Sequence, residues 1–418
     1  MKRPARSKTP QKILYVENGI GYGGAVICLR HLVRNLDRQR FEPIVVTGRT
    51  GKQYREIASE TKWKYIADHN INLRSAAERL RSASWIRKVP GLKMLLDQIL
   101  GRLDDLINFL PFFTRLLIFA ISLRPGIIHA NNEPLCNRAS LLVAKLLRIP
   151  SICHVRGTPE GSRMMKWFYC LPGHFIPVSN WISAGIQKLG VPAEKCTVIY
   201  DGINLSDMDV SADGRSFRLA HKVPEGAFAV GLVGLLIPWK GQQMFIDAAH
   251  ILKDEIPNLR MLIIGGTPAD CLGFERELRD RVCRECLEQT VIFTGHQDHL
   301  ALVYNGLDVV VSASVVPEPL GIVALECMAM ARPLVAPRHG GAVEVTEHRR
   351  TALLFEPGNA KSLAECIGEL YRTPELRQEL GRAGREKALA NFSVSECIRR
   401  TQEVYQMVLS RRILNSLY

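Results

Sequence analysis

The sequence predicts an α/β protein built from two doubly wound parallel-sheet domains. Short apolar runs rich in β-branched residues alternate with amphipathic stretches of helix length along most of the 418 residues. Within these runs apolar and polar residues do not alternate, which indicates strands buried on both faces and therefore parallel sheets. A polar stretch at 205–226 interrupts the pattern, which then restarts. Two such series predict two domains, each with a ligand crevice at the carboxyl ends of its strands.

The candidate strands define the domain boundaries. Those of the first series are KILYV (12–16), PIVVTG (43–48), GIIHA (126–130), SICHV (151–155), HFIPVS (174–179) and TVIY (197–200). Those of the second are FAVGLVG (228–234), LRMLIIGG (259–266), VIFTG (291–295), DVVVSAS (308–314) and PLVAP (333–337). We place the first domain at 1–203 and the second at 204–395. A C-terminal helix at 396–418 is expected to return to the first domain.

The positive charge of the chain is concentrated in its first half. Residues 1–205 contain 31 Lys and Arg against 14 Asp and Glu, whereas 206–418 contain 24 against 27. A basic domain suits an anionic acceptor or an anionic membrane surface. No aromatic and basic RNA-binding motif or zinc finger is visible, so nucleic acid is not expected as a partner.

The N-terminal residues and the cysteines predict a cytoplasmic protein. The first residues, MKRPARSKTPQK, are basic and precede no apolar core of a signal peptide. The 11 cysteines are scattered, which favours a reducing compartment. Cys283 and Cys286 have CxxC spacing but lack the second pair that a zinc site needs, so a plain helix is favoured there.

Residues 74–125 interrupt the first series with basic residues followed by the apolar run INFLPFFTRLLIFAISL (107–123). That run is too short and too interrupted for a clear membrane span. One interpretation is a helix packed under the first sheet. The alternative is a surface lying against the inner face of a membrane without crossing it. A basic cluster precedes the run: Arg74, Arg79, Arg81, Arg87, Lys88 and Lys93.

Most of the candidate ligand-binding residues lie in one stretch, VVPEPLGIVALECMAMARPLVAPRHGGAVEV (315–345). Glu318 follows a predicted strand, and Gly321 is expected to open a helix whose first-turn N–H groups suit a phosphate. Glu326 falls on the second turn of that helix, within reach of a ribose beside the phosphate. A solvated helix face is the plainer explanation of two glutamates, but their apolar and glycine-rich setting argues against it.

This stretch resembles the family-four, or group 1, glycosyltransferases of the GT-B fold, whose signature is two glutamates separated by seven residues. The matching positions are Glu318-Pro319-Leu320-Gly321, Leu325-Glu326-Cys327-Met328-Ala329, Arg332-Pro333-Leu334-Val335-Ala336 and Gly340-Gly341-Ala342-Val343-Glu344. Weaker matches elsewhere in the chain are Gly23-Gly24-Ala25, His154, Ser179-Asn180-Trp181, Tyr200-Asp201-Gly202 and Trp239-Lys240-Gly241. The resemblance implies two Rossmann-like domains facing across a cleft.

The resemblance also implies a retaining, metal-independent transferase of the hexosyltransferase type. Its donor would be a UDP- or GDP-sugar and its acceptor a glycan or lipid-linked molecule in polysaccharide or lipopolysaccharide synthesis. By the same resemblance Glu318, His154 and Lys240 would be catalytic. The donor-binding residues would be Glu326, Leu320, Gly321, Ile322, Gly23, Gly24 and Leu235. No cofactor and no metal ligand are expected.

One departure from the family pattern bears on the chemistry, whereas those at Arg332 and Asp201 are milder. Many relatives have Arg where this chain has Leu235, which removes a cation expected at the diphosphate. Arg156 and Asn131 are candidates for binding the acceptor or a phosphate, and Arg156 is a candidate to replace that charge. The missing arginine motivates an alternative function, a non-catalytic nucleotide-sugar-binding protein of the same fold.

Two further motifs suggest other chemistry. Asp207-Met208-Asp209 matches the DxD string of metal-dependent transferases, but its place in a linker favours a polar turn. Gly19 to Gly24 satisfy GxGxxG, the dinucleotide fingerprint. The second strand ends in Thr47-Gly48 rather than in the acidic residue that NAD sites need, so an oxidoreductase is the weaker alternative.

Overall fold

The computed structural model describes residues 9–18, 24–68, 96, 99–100, 102–159 and 165–416. These residues form two compact units. The first comprises Met1–Pro177, Ile182–Val198 and Ile398–Tyr418, and the second comprises Val178–Trp181 and Ile199–Cys397. The C-terminal helix thus belongs largely to the first unit, and the chain passes between units a few residues before the predicted boundary. Both units have the α/β architecture expected from the sequence.

The first unit contains a six-stranded sheet in which all neighbouring strands are parallel. Its strands are β1 (Gln11–Glu17), β2 (Phe41–Thr47), β3 (Lys62–Tyr65), β4 (Ile127–Asn131), β5 (Ser151–Val155) and β6 (His174–Pro177). Its described helices are α1 (Gly24–Asn35), α2 (Lys52–Glu60), α3 (Leu110–Leu123), α4 (Arg138–Leu146) and α5 (Asn180–Lys188). The strand order is β3-β2-β1-β4-β5-β6, so the order reverses between β1 and β4.

The second unit repeats this topology. Its strands are β7 (Phe228–Val233), β8 (Leu259–Ile264), β9 (Val291–Gly295), β10 (Val309–Val311), β11 (Leu334–Pro337) and β12 (Leu353–Phe355). Its described helices are α6 (Gly214–Ala220), α7 (Gln242–Leu252), α8 (Leu272–Arg284), α9 (Leu300–Asn305), α10 (Ile322–Ala329), α11 (Ala342–Val345), α12 (Ala360–Arg372) and α13 (Pro374–Asn391). The last helix, α14 (Val394–Ser416), begins here and continues into the first unit. The order β12-β11-β10-β7-β8-β9 reverses between β7 and β10.

The central strands are buried on both faces, as their sequences predict. Every residue of β4, β5 and β7 is buried. The packed core of the second unit extends from Phe228 on β7 to Leu380 on α13. In the first unit Phe112, Leu116 and Ala120 of α3 pack against the sheet. The prediction of a helix under the first sheet therefore holds for one face of α3.

One predicted strand is wrong, and two strands were missed. TVIY (197–200) forms no strand, and the chain there meets β6 only at a single bridge between Phe175 and Cys196. Conversely, β3 is a strand with a mostly exposed sequence, KWKY, at one edge of its sheet. The three residues of β12 were also missed, because so short a run carries little periodic signal.

Candidate functional site

In the second unit, the loops after β7 and β10 meet where the strand order reverses. A single turn of 3₁₀ helix, Pro238–Lys240, follows β7. At Gly241 the backbone φ is 79°, and an added Cβ would lie 1.9 Å from the carbonyl oxygen of Ala313. Glycine is therefore required there, because any side chain would separate the two loops. Open α/β sheets bind ligands at such a reversal, beyond the carboxyl ends of the strands.

Glu318 and Lys240 form an ion pair at this position. The Lys240 Nζ donates to Glu318 Oε1 at 2.8 Å, and the two side chains are 15% and 14% exposed. The hydroxyl of Ser314 donates to the same carboxylate oxygen. The Lys240 ammonium also lies 4.7 Å from the ring centroid of Trp239. Because an ammonium has three N–H donors, the hydrogen bond to Glu318 leaves Lys240 able to bind a second anion.

These partners keep Glu318 ionised. Burial raises the pKa of Glu318, but the charge of Lys240 and the hydrogen bonds from Lys240 and Ser314 lower it further than burial raises it. The net pKa lies below the ordinary value of a glutamate. The imidazole of His339 contributes in the same direction and contacts the Ser314 carbonyl oxygen at 3.1 Å. The site thus presents a carboxylate at neutral pH.

Gly340 and Gly341 pack closely against the backbone of the Glu318 loop. A Cβ at Gly340 would lie 2.7 Å from the carbonyl oxygen of Glu318, and the φ of Gly340 is 60°. A Cβ at Gly341 would lie 2.4 Å from the Cα of Leu320. The Gly341 N–H donates to the Glu318 carbonyl at 2.8 Å. The glycine pair is therefore needed for the close approach that places the Glu318 backbone.

Helix α10 points its N-terminus into the same region. Gly321 precedes it with φ 86° and carries no side chain that could cap the helix. The N–H of Ala324 donates to the Gly321 carbonyl oxygen at 3.0 Å, so the N–H groups of Ile322 and Val323 are the ones that precede the first hydrogen bond of the helix. An anionic ligand is a suitable acceptor because the positive end of the helix dipole lies there. Leu320, immediately before Gly321, is buried and anchors the loop.

Glu326 lies on the second turn of α10 and is held by a tyrosine that the sequence analysis did not identify. The hydroxyl of Tyr304 donates to Glu326 Oε2 at 2.7 Å. Burial raises the pKa of Glu326 to about 7, although the hydrogen bond from Tyr304 and the charge of Lys240 act in the opposite direction. Glu326 therefore changes its charge near neutral pH, in contrast to Glu318.

A third glutamate of the motif, Glu344, anchors the segment 178–181. Its carboxylate accepts from the backbone N–H groups of Asn180 at 2.8 Å and of Trp181 at 2.6 Å, and from the Tyr200 hydroxyl at 3.1 Å. Ser179 donates to the carbonyl of Pro319 at 2.6 Å. This role explains why the matches at Ser179-Asn180-Trp181 and Tyr200 accompany the glutamate motif, since they contact the same loops.

The first unit places a separate polar cluster at its own reversal point. Glu17 ends β1 and Asn131 ends β4, and the Asn131 amide donates to the Glu17 carboxylate. Asn132 donates to both oxygens of Glu17 at 3.0 and 3.1 Å, while Arg156 donates to Asn131. Glu17, Asn131, Asn132 and Arg156 are all buried. The structure thus joins the predicted pair Asn131 and Arg156 with Glu17, which the sequence analysis missed.

His154 lies inside β5 and its side chain is fully buried in the first unit. Its ring centroid is 5.5 Å from that of His129. Burial, followed by the charge of Arg156, holds the pKa of His154 well below its ordinary value. The imidazole is consequently neutral at physiological pH.

The other predicted positions are Leu235, the glycines Gly23 and Gly24, and the basic cluster of the first unit. Leu235 is half-buried directly after β7, and its carbonyl accepts from the Gln242 amide at 2.8 Å. Gly24 is the first residue of α1, whereas Gly23 and the rest of the GxGxxG loop lie outside the described residues. The basic cluster between Arg74 and Lys93 also lies outside them.

The Asp207-Met208-Asp209 string lies at a polar 3₁₀ turn, Leu205–Asp207, where the amide of Asn204 donates to Asp207 at 2.8 Å. Cys283 lies near the end of α8, and Cys286 follows that helix; both thiols are free and exposed. Within residues 9–18, 24–68, 96, 99–100, 102–159 and 165–416, no three His, Cys, Asp or Glu side chains are grouped as a metal site requires.

Two family models match this chain, and together they cover most of it. Glycosyltransferase Family 4 matches residues 22–207, most of which belong to the first unit. Glycosyl transferases group 1 matches residues 215–387, which include the Glu318 and Glu326 region. The chain belongs to the group 1 glycosyltransferases.

Two relatives are similar to this chain over different parts of its length. The D-inositol 3-phosphate glycosyltransferase of Pseudarthrobacter chlorophenolicus is 30% identical over 54% of this chain and 54% of its own length. The glycogen synthase of Mycobacterium tuberculosis is 27% identical over 68% of this chain and 69% of its own. The chain thus spans about half the length of the first of these relatives.

The fold is shared with solved structures. HepE of Anabaena, solved in complex with UDP-glucose, superposes with a TM-score of 0.78 at 21% identity, over 95% of this chain and 100% of HepE. The sucrose-phosphate synthase of Thermosynechococcus elongatus gives a TM-score of 0.75 at 20% identity, over 96% of this chain and 100% of that protein. The GT-B class predicted from the sequence is confirmed.

Proposed function

We propose that this group 1 glycosyltransferase transfers a sugar from a nucleoside-diphosphate sugar to a glycan or lipid-linked acceptor, with retention of configuration and without a metal ion. The observation that carries the proposal is the convergence of Lys240, Glu318 and the uncapped start of α10 at one reversal point. A cation and a helix N-terminus beside a carboxylate suit a molecule that joins a diphosphate to a polyhydroxylated sugar.

In the proposed reaction the bond between the anomeric carbon and a diphosphate oxygen breaks, and the oxygen of an acceptor hydroxyl bonds to that carbon on the same face. The proton of that hydroxyl passes to the departing diphosphate. The departing diphosphate gains negative charge, which Lys240 and the first-turn N–H groups of α10 are placed to stabilise. Each such fixed donor contributes roughly 2–4 kcal/mol to the transition state. Glu318 would accept hydrogen bonds from the sugar hydroxyls, and Glu326 from those of the ribose.

The donor is proposed to be a UDP- or GDP-sugar. HepE, which shares the fold, was solved with UDP-glucose, so UDP-sugars are the first to test. In the first unit, Arg156 and Asn131 are proposed to bind an anionic group of the acceptor. His154, whose pKa is lowered by burial and by the charge of Arg156, is proposed as a catalytic residue. Cell-surface polysaccharide or lipopolysaccharide synthesis is the proposed setting.

A panel of UDP- and GDP-sugars, tested by thermal shift and then by turnover, examines this function. A donor at 100 times its dissociation constant should raise the free energy of unfolding by about 2.7 kcal/mol. Glu318→Gln should keep UDP binding within a few-fold but lose at least a hundredfold in turnover. Binding without turnover by the wild-type chain across many acceptors would instead support the alternative, a non-catalytic nucleotide-sugar-binding protein.

We also propose that the first unit lies against the cytoplasmic face of an anionic membrane. By length and composition, Arg102–Leu123 is one helix in the described part of the chain that could cross a membrane. Its buried face forms the core of the first unit, however, and a helix in a span would have to leave that core. The opposite face exposes a row of large aliphatic side chains: Ile99, Leu103, Leu106, Leu110, Ile118 and Ile121.

The spacing of these side chains places them along one side of the helix, as in helices that lie in the membrane interface. Leu106 is 62% exposed and Ile118 is 68% exposed, so the row is an open apolar surface. Arg102, Arg115 and Arg124 on or beside the helix are exposed as well. The aliphatic row can insert among lipid chains while the arginines attract anionic headgroups, and this combination favours an anionic bilayer as the partner of this surface.

A further inference from the structure

We propose that Tyr304 is a positioning residue for nucleotide recognition, which orients Glu326 to accept hydrogen bonds from the donor ribose. This inference rests on the proposed function, since it assumes a nucleotide in the second unit. The phenol and the carboxylate come from different helices, α9 and α10, and meet in a 2.7 Å hydrogen bond. Tyr304 would act on the donor only through Glu326.

The geometry leaves Glu326 free to bind a second partner. An ionised carboxylate has two oxygens and about four acceptor positions. The Tyr304 hydroxyl occupies one position on Oε2, and among the described residues no side chain donates to Oε1, which leaves Oε1 and the remaining positions for ribose hydroxyls. Tyr304 is completely buried, and its ring is fixed by packing. The hydrogen bond therefore restricts the rotation of the Glu326 carboxylate before any ligand arrives.

The direction of this hydrogen bond is set by the burial of the phenol. Burial, with the nearby charge of Glu326, raises the pKa of Tyr304 well above its ordinary value, so the hydroxyl remains a donor at all working pH values. Donation to an ionised carboxylate favours the charged form of Glu326. Tyr304 thus supports the form of Glu326 that accepts two ribose hydroxyls.

Besides Tyr304, Lys240 and Cys327 interact electrostatically with Glu326. Lys240, from the turn after β7, lowers the pKa of Glu326 by its charge. Cys327 is its neighbour on α10, and the thiol is kept protonated by burial, which raises its pKa. Tyr304 is therefore the group that donates a hydrogen bond to Glu326, and its removal should raise the pKa of Glu326 above about 7.

The experiment measures UDP binding by calorimetry between pH 5.5 and 8.5 for the wild-type chain and for Tyr304→Phe. The variant should bind UDP about tenfold more weakly at pH 8, because a hydrogen bond to a charged group is lost from the orientation of Glu326. The pH at which binding is half lost should move upward. In turnover assays KM for the donor should rise while kcat at saturation changes less than threefold.

Two variants serve as controls. Tyr54→Phe removes a hydroxyl from another buried tyrosine, in the first unit, and should leave both the UDP affinity and its pH profile unchanged. Glu326→Gln should bind UDP weakly and without the pH dependence. Adding Tyr304→Phe to Glu326→Gln should then cost much less than tenfold, because the two residues act as one unit.

The outcomes separate this inference from the function on which it rests. If the wild-type chain binds neither UDP nor GDP, the proposed function fails. If the wild-type chain binds UDP and Tyr304→Phe binds equally well with the same pH profile, only the role of Tyr304 is overturned. A variant that is less stable but binds normally would overturn that role as well. Should Tyr304→Phe not fold, a pH dependence unchanged in folded Glu326→Gln overturns the inference.

Discussion

At the scale of single residues, the candidate donor site depends on glycines as much as on charged groups. Glu318 and Lys240 carry the chemistry, but the Glu318 loop keeps its place because Gly341 allows the backbone of Leu320 to approach. The sequence motif therefore combines two requirements. The glutamates supply carboxylates, and the glycine pair supplies the space in which one of those carboxylates is presented.

Gly341→Ala should displace the Glu318 loop. Its Cβ would lie 2.4 Å from the Cα of Leu320, a distance that backbone atoms cannot tolerate. We expect at least a tenfold loss of turnover and a destabilisation of about 1–3 kcal/mol, typical of overpacking. Gly273→Ala is the matched control, because nothing lies within 4 Å of its added Cβ. Equal turnover in the two variants would contradict the close-approach argument.

At the scale of helices and strands, the sequence predicted best the longer runs that are buried on both faces. SICHV was located to the residue, since both faces of a central parallel strand require apolar side chains. The edge strand β3 was missed because KWKY is exposed and half basic. Tyr304 was missed for a different reason: a lone buried tyrosine resembles a core residue until its partner Glu326 is placed beside it.

Helix α3 and the turn before it show the same division, since the buried face was predicted and the exposed apolar row needed the structure. The double variant Leu106→Ser/Ile118→Ser should reduce sedimentation with vesicles of phosphatidylglycerol and phosphatidylcholine at least fivefold, because two apolar contacts with lipid are lost. Salt should weaken the wild-type binding. Leu219→Ser, at a leucine that is 77% exposed in the second unit, should have no effect. Equal sedimentation of all variants would remove the membrane proposal.

At the scale of the whole molecule, the two units differ in how the pKa values of their titratable groups are shifted. The first unit has histidines with lowered pKa values, and the second has a glutamate with a raised pKa. The first unit buries His129 and His154, whose pKa values lie well below the ordinary 6.5. The core around them includes Tyr405 of α14, which hydrogen-bonds both Tyr15 and His129 at 2.8 Å. In the second unit the side chain of Glu326 is partly buried, and its pKa is raised to about 7. The units should therefore respond differently to acid.

Whether the free energy of unfolding rises or falls with pH depends on which state, folded or unfolded, binds more protons. Below pH 6.5 the unfolded chain protonates its histidines while buried His129 and His154 stay neutral, so the first unit loses stability as pH falls, by up to about 1.4 kcal/mol per pH unit for each imidazole. Glu326 acts oppositely: between its unfolded value of 4.5 and its folded value of about 7, the native state holds the extra proton. The second unit gains this stability as pH falls, which offsets the lowered pKa values of His339 and His348.

Calorimetric unfolding between pH 7.5 and 5 tests this difference. We expect the transition of the first unit to fall steeply, and that of the second unit, identified by its upward shift with UDP, to move much less. Glu326→Gln removes the offsetting proton site, so in that variant the second transition should also fall with acid. Parallel movement of both transitions in the wild-type chain would contradict the assignment, because it would mean that the buried histidines and Glu326 do not govern the acid response of their units.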